Sequence, residues 1–175
     1  MSQATTLEVP GASNGFEGNW GGYSKGMVYA PSGFPVDTAG TAPEATTFAI
    51  RDGKVVIEFD VNGDPGSNVV GTPKAWAPSP FEVVLRLEMA TFQYHRVEIS
   101  RYKLIGSDRM SYMTNAHVYD VHSGDLVASE RRKANFKKLE GETGELWNKA
   151  RAKWEAQHHT VDLGSFESPT EKGSQ

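Results

Sequence analysis

The chain has 175 residues and a formal net charge of −4; 38% of it is apolar and 23% charged. This is the size and composition of one globular domain with a sizeable core, and the acidic balance argues against nucleic acid or an anionic membrane as partner. With no cysteine, disulfides, thiolate metal sites and cysteine nucleophiles are excluded.

Residues 1–14 are small and polar and read as a flexible lead-in, without the basic and apolar regions of a signal peptide. A single domain is expected over 15–160, a flexible tail over 161–175, and a cytoplasmic location. Trp20 to Ala30 reads as a glycine-rich first strand, and Pro31 to Glu44, with three prolines, as a loop. Thr46 to Phe59 is a hairpin pattern about Asp52-Gly53, a pair suited to the positive φ values of a type I′ turn. That turn sets Ile50 opposite Val55 and Phe48 opposite Ile57. Residues 66–80 read as a long loop carrying Trp76 between prolines, of a length often given to binding loops. Phe81 to Thr91 alternates strictly, with Phe81, Val83, Leu85, Leu87 and Met89 on one side, as a half-buried strand does.

Three further strands follow, roughly 92–105, 109–122 and 125–136, with turns at Gly106-Ser107 and Ser123-Gly124. Glu142 to Gln157 is the one helical pattern. Thr143 suits its cap, and Leu146, Trp147, Ala150 and Trp154 recur at helical spacing. Successive strands without intervening helices argue against parallel crossover units, and a sheet this long must curl or close to remove its edges. The expected class is mainly β: an antiparallel barrel or strongly curled sheet with one C-terminal helix, the alternative being a two-sheet sandwich.

Phe16-Glu17-Gly18-Asn19-Trp20 resembles the opening of lipocalins and related calycins, where a glycine, any residue and a tryptophan begin the first strand. In that family the tryptophan closes one end of the barrel and an arginine from a late strand packs over it. Arg131 or Arg132 would take that part here. Gly21-Gly22 depart from the usual bulky follower, and the family's threonine-aspartate-tyrosine turn is absent. The resemblance implies an interior that holds one small, mostly apolar ligand.

If both turns after residue 92 are two-residue loops, Tyr94, Arg96 and Glu98 lie beside Tyr119, His117 and Asn115, and these beside Ala128, Glu130 and Arg132. Two readings stand: a solvated sheet face with cross-strand charge pairs, or the polar floor of a pocket. In the second, Arg96, Glu98, His117, Tyr119 and Glu130 are the catalytic candidates. His117 or Glu98 would act as base, and Arg96 or a tyrosine would steady a developing enolate, with no cofactor. Trp20, Tyr23, Trp76, Tyr94 and Asn115 are the ligand-binding candidates. The five histidines show no metal-binding spacing, so no metal is expected.

Binding of a small hydrophobic or aromatic molecule in the barrel is the first functional expectation. A cofactor-independent isomerase, cyclase or lyase in the same cavity is the second, and an interaction module built on the tryptophan-bearing helix the third. The expected partner is a small molecule, with neither nucleic acid nor membrane; the sequence does not give the oligomeric state, and an uncovered sheet edge would encourage a homodimer.

Overall fold

Alternating apolar and polar residues along the chain produce ten antiparallel strands, described in a computed structural model over residues 2–33, 35–37, 44–60, 68–90 and 92–139, with Lys149 and Ala152 beyond them. The strands are β1 (Ser2–Glu8), β2 (Gly18–Tyr29), β3 (Pro35–Asp37), β4 (Glu44–Arg51), β5 (Lys54–Asp60), β6 (Asn68–Ser79), β7 (Glu82–Ala90), β8 (Tyr94–Leu104), β9 (Arg109–Asp120) and β10 (Leu126–Leu139). They hydrogen-bond in the order β1-β5-β4-β2-β10-β9-β8-β7-β6, with β3 attached to β2. The two end strands, β1 and β6, approach one another without forming a ladder. The result is an antiparallel, nearly closed barrel, which removes most of the sheet edge.

Two devices shape it. Gly22 and Gly26 face the interior from β2, and a side chain at either would collide with the β10 backbone, at Asn135 O and Arg131 O respectively. The β2–β10 ladder lapses between Lys133↔Lys25 and Lys137↔Gly21. Close backbone approach at these glycines lets β2 bend across β10. On the far side, Pro73 and Pro78 lie within β6, at the two points where its register with β7 shifts. Proline has no N–H to give a ladder and is tolerated on an edge strand.

Several expectations are corrected here. Residues 68–79 are strand and not loop, because β7 supplies a partner that the prolines interrupt but do not abolish. Ser2–Glu8, expected to be flexible, pair along β5. The Asp52-Gly53 turn is as expected, with φ of 54° and 72° and Ile50 opposite Val55. The expected helix over 142–157 falls outside the described residues except Lys149 and Ala152, both of helical backbone, so it is no part of the described fold. The expected tail over 161–175 also lies outside them. Among the described residues no helix is long and apolar enough to cross a membrane.

The interior is stratified. At one end Phe16, Trp20, Phe48, Ile50, Val55, Val83, Met110 and Phe136 form the main apolar core. At the other, Val28, Tyr94, Val118 and Ala128 form a smaller cluster. Between them lie buried polar side chains: Ser24, Arg96, Ser100, Thr114, Glu130 and Arg132.

Candidate functional site

The polar layer exists because even-numbered residues of β8, of β9 and, from Ala128 on, of β10 point inward. The register aligns Glu98 with Ala116 and Ala116 with Glu130, then Ser100 with Thr114 and Thr114 with Arg132. β8 and β10 therefore deliver charges across a central strand that offers only small side chains at those rungs. Arg96 Nη1 donates to Glu130 Oε2 at 2.8 Å and Arg96 Nε to Glu98 Oε2 at 3.2 Å. Arg132 Nε donates to the second oxygen of Glu130. The Ser100 hydroxyl bonds Thr114 Oγ1 at 2.9 Å and reaches Glu98 Oε1 at 3.4 Å. Two guanidinium groups thus face two carboxylates, and each partner satisfies the other's buried polar atoms, as buried charges require. Burial alone would depress the Arg96 guanidinium, but Glu98 and Glu130 outweigh it and hold the group above its ordinary value.

This layer adjoins a cavity of about 600 Å3. β4 pairs with β2 along its length but with β5 only at Ala49↔Val56, Ile50↔Val55 and Arg51↔Lys54. Beyond Ala49 and Val56 the two strands separate. The cavity is lined there by Thr46, Phe48 and Ile57 from the inner face and by Thr47, Ala49 and Val56 from the outer one, so it reaches through the wall. Inside, it is bounded by Trp20, Leu85, Leu87, Tyr102 and Tyr112, and Glu98 is the acidic group lining it. Neither Arg96 nor Arg132 lines it; the cation in the lining is Arg51, exposed at the outer mouth, where its Nη2 donates to Asn19 Oδ1 at 3.3 Å.

The aromatic residues are held firmly. Phe48 stacks on Tyr102 with centroids 3.8 Å apart, and Tyr112 stacks on Phe136 at 5.0 Å. Burial pushes the Tyr102 phenol well above its ordinary value; the Glu98 charge adds to this and a Ser100 hydrogen bond opposes it. Tyr112 is raised likewise, chiefly by burial, with Tyr102 and Glu98 adding. Both phenols are therefore neutral hydrogen-bonding groups at physiological pH.

Arg96, Glu98 and Glu130 are brought together inside the barrel, as is Trp20 at its closed end. His117, Tyr119 and Asn115 are not: they project from the outer face of β9, where His117 Nδ1 lies 2.9 Å from Ser129 Oγ. The expected pairing of Arg96 with His117 is replaced by Arg96 with Val118, and that of His117 with Glu130 by His117 with Ser129. The β8–β9 connection is longer than two residues: Leu104 pairs with Met110, and Ile105 N and Gly106 N both donate to Arg109 O. A bulge at Val127, between Leu126 and Ala128, adds a second one-residue shift. Together they move β10 two residues along β8, so that Glu130 lines up with Glu98 and not with Arg96; a two-residue move keeps the facing of β8 and β10, and only β9 is reversed. Tyr94 is buried in the smaller cluster, away from the cavity lining; Tyr23 and Trp76 are exposed on the outside.

The cation over Trp20 is Lys138, with Nζ 5.5 Å from the ring centroid, and neither Arg131 nor Arg132. Trp20 Nε1 donates to Phe16 O at 2.9 Å. No protein-family model matches the chain, and no curated protein or solved structure matches it either.

Residues that sequence reasoning missed are Tyr102, Tyr112, Phe48 and Ile57. The signal was present on β8, where Tyr94, Arg96, Glu98, Ser100 and Tyr102 share one parity.

Proposed function

We propose that this barrel binds one small, largely apolar or aromatic molecule whose head group donates hydrogen bonds. The observation that carries the reading is the composition of the cavity at the β4–β5 split. Its volume falls within the usual ligand-pocket range of ~300–1,000 Å3, and its inner wall is built mainly of aromatic and aliphatic residues, while Asn19, Thr47 and Arg51 make its outer mouth polar. On the inner wall Glu98, Thr46 and the phenols of Tyr102 and Tyr112 supply the polar groups, while the guanidinium of Arg96 is turned to Glu98 and Glu130. Glu98 is the charged group of the inner wall and Arg51 stands at the exposed mouth bonded to Asn19, so the interior favours an amine or hydroxyl over an acid. The calycin-like reading has support in Trp20, buried at one end under a cation from the last strand.

The test is a matched series, 2-naphthylmethylamine, 2-naphthol and 2-naphthoate, titrated into the protein by calorimetry at neutral pH. The amine and the naphthol should bind and the naphthoate should not. Glu98→Gln should remove the preference for the amine. Tighter binding of the naphthoate would defeat the reading.

The second reading, cofactor-free acid/base chemistry as an isomerase, cyclase or lyase, rests on Glu98 lying in the same lining as two protonated phenols. In it Glu98 is the base and Tyr102 or Tyr112 the proton donor, and His117, on the outer face, has no part. Turnover of any identified ligand that survives Glu98→Gln would dismiss this version and leave the binding reading intact.

A further inference from the structure

The strand alternation that buries Glu130 and Arg132 has a second result on the outside of the barrel. β2, β9 and β10 together contain two carboxylates. Glu130 lies inside, and Asp120 accepts from the His122 and Ser123 amides in the turn. What projects outward from these three adjacent strands is Lys25, Arg109, Arg131, Lys133 and Lys137, all exposed. None of the five has a carboxylate partner among the described residues. A chain of net charge −4 thus carries a face of one sign: Arg131, Lys133 and Lys137 stand in one basic run of the sequence, and the fold brings Lys25 and Arg109 beside them.

The arrangement is unfavourable in isolation. Lys25 stands directly opposite Lys133, and Lys137 directly opposite Arg109. Like charges facing each other across strands destabilise a sheet, and an anion between them would relieve it. Tyr23, 40% exposed, projects from the same face of β2 two residues before Lys25. Asn115, His117, Ser129 and Asn135 complete the surface with hydrogen-bonding groups.

We propose that this face binds single-stranded nucleic acid, with phosphates on the five cations and a base stacked on Tyr23. Cations that track a backbone, interleaved with an aromatic platform, are what such strands require. The face is the convex outside of a barrel, which a flexible single strand can follow. A membrane surface fits less well. Apolar anchors would have to stand exposed among the cations, whereas Phe81, Phe92, Ile105 and Val121 lie in the connections between strands and, of the exposed large apolar residues, only Met27 joins Tyr23 on the face, with Tyr29, Met113 and Tyr119 half-buried there.

The experiment is fluorescence anisotropy of the full chain with a short fluorescein-labelled oligouridylate between about 50 and 200 mM salt. Binding should weaken steeply with salt. Lys25→Gln, Arg131→Gln and Lys133→Gln together should lower affinity at least about tenfold at the low-salt end. They should also make the log–log salt slope shallower by about 2, from ~0.7 per phosphate contact. Tyr23→Ala should weaken binding without changing the slope. Lys54→Gln with Lys74→Gln, on other strands, should change neither. The triple variant should melt no lower than wild type, since it removes facing like charges. The proposal is overturned by absence of binding at low salt, by equal losses from the Lys54/Lys74 variant, or by capture on phosphatidylserine vesicles without capture of the oligonucleotide.

Discussion

Arg96 and Glu130 sit on β8 and β10, separated by the whole of β9, yet the guanidinium Nη1 and carboxylate Oε2 meet at 2.8 Å. The rungs of β9 beneath them, Ala116 and Val118, are small enough to let the two long side chains pass above the sheet and join. This pair organises the interior: Arg96 also holds Glu98, and Glu130 also holds Arg132.

Removing one member leaves a buried charge without its partner, which costs about 3–5 kcal/mol. Glu130→Gln and Arg96→Met should each lower stability by about that much in urea denaturation. Because they share one bond, the double variant should lose less than the sum, with a coupling of about 1–3 kcal/mol. Additive losses would mean that the two side chains do not act on each other.

Gly22 predicts a contrast with Gly106. A methyl at Gly22 meets the Asn135 carbonyl and the Phe136 ring, whereas one at Gly106 meets nothing within 4 Å. Gly22→Ala should cost about 1–3 kcal/mol, as overpacking does, and Gly106→Ala should stay within about 0.5 kcal/mol. Equal thermal midpoints for the two would remove the account of how β2 bends.

Tyr102 and Tyr112 predict the alkaline behaviour. Their folded-state pKa values lie above the unfolded value near 10, because burial disfavours the phenolate. The stability linked to them is fully present below about pH 10 and is lost as pH rises through the folded values. Of six tyrosines, at least Tyr102 and Tyr112 should therefore fail to ionise at 295 nm until the protein unfolds. Tyr102→Phe should lower the number of such residues by one. Six tyrosines titrating together in a folded protein would contradict the packing described.

Much of the fold could be read from the sequence, because period-two patterning and the Asp52-Gly53 turn are local signals. The strands 82–90, 94–104, 109–120 and 126–139 stand where alternation put them to within a few residues. The facing of β9 could not be read. It depends on how many residues turn between Leu104 and Met110 and on one bulge residue, Val127, and a single-residue change moves every side chain to the other face. That is why Arg96, Glu98 and Glu130 meet and His117 does not join them. The β6 strand was hidden by Pro73 and Pro78, which signal a loop locally but are accommodated by an edge. The opening between β4 and β5 was also beyond reach, since it reflects where a ladder stops rather than which residues begin it.

The most direct measurement of the central claim is an intermolecular NOE spectrum of the protein with 2-naphthylmethylamine. The account predicts contacts from the naphthyl protons to the methyl groups of Leu85, Leu87 and Ile57, all in the cavity lining, and their loss with Glu98→Gln at the same ligand concentration. Contacts confined to outer-face residues, or none to these methyls at saturation, would contradict it.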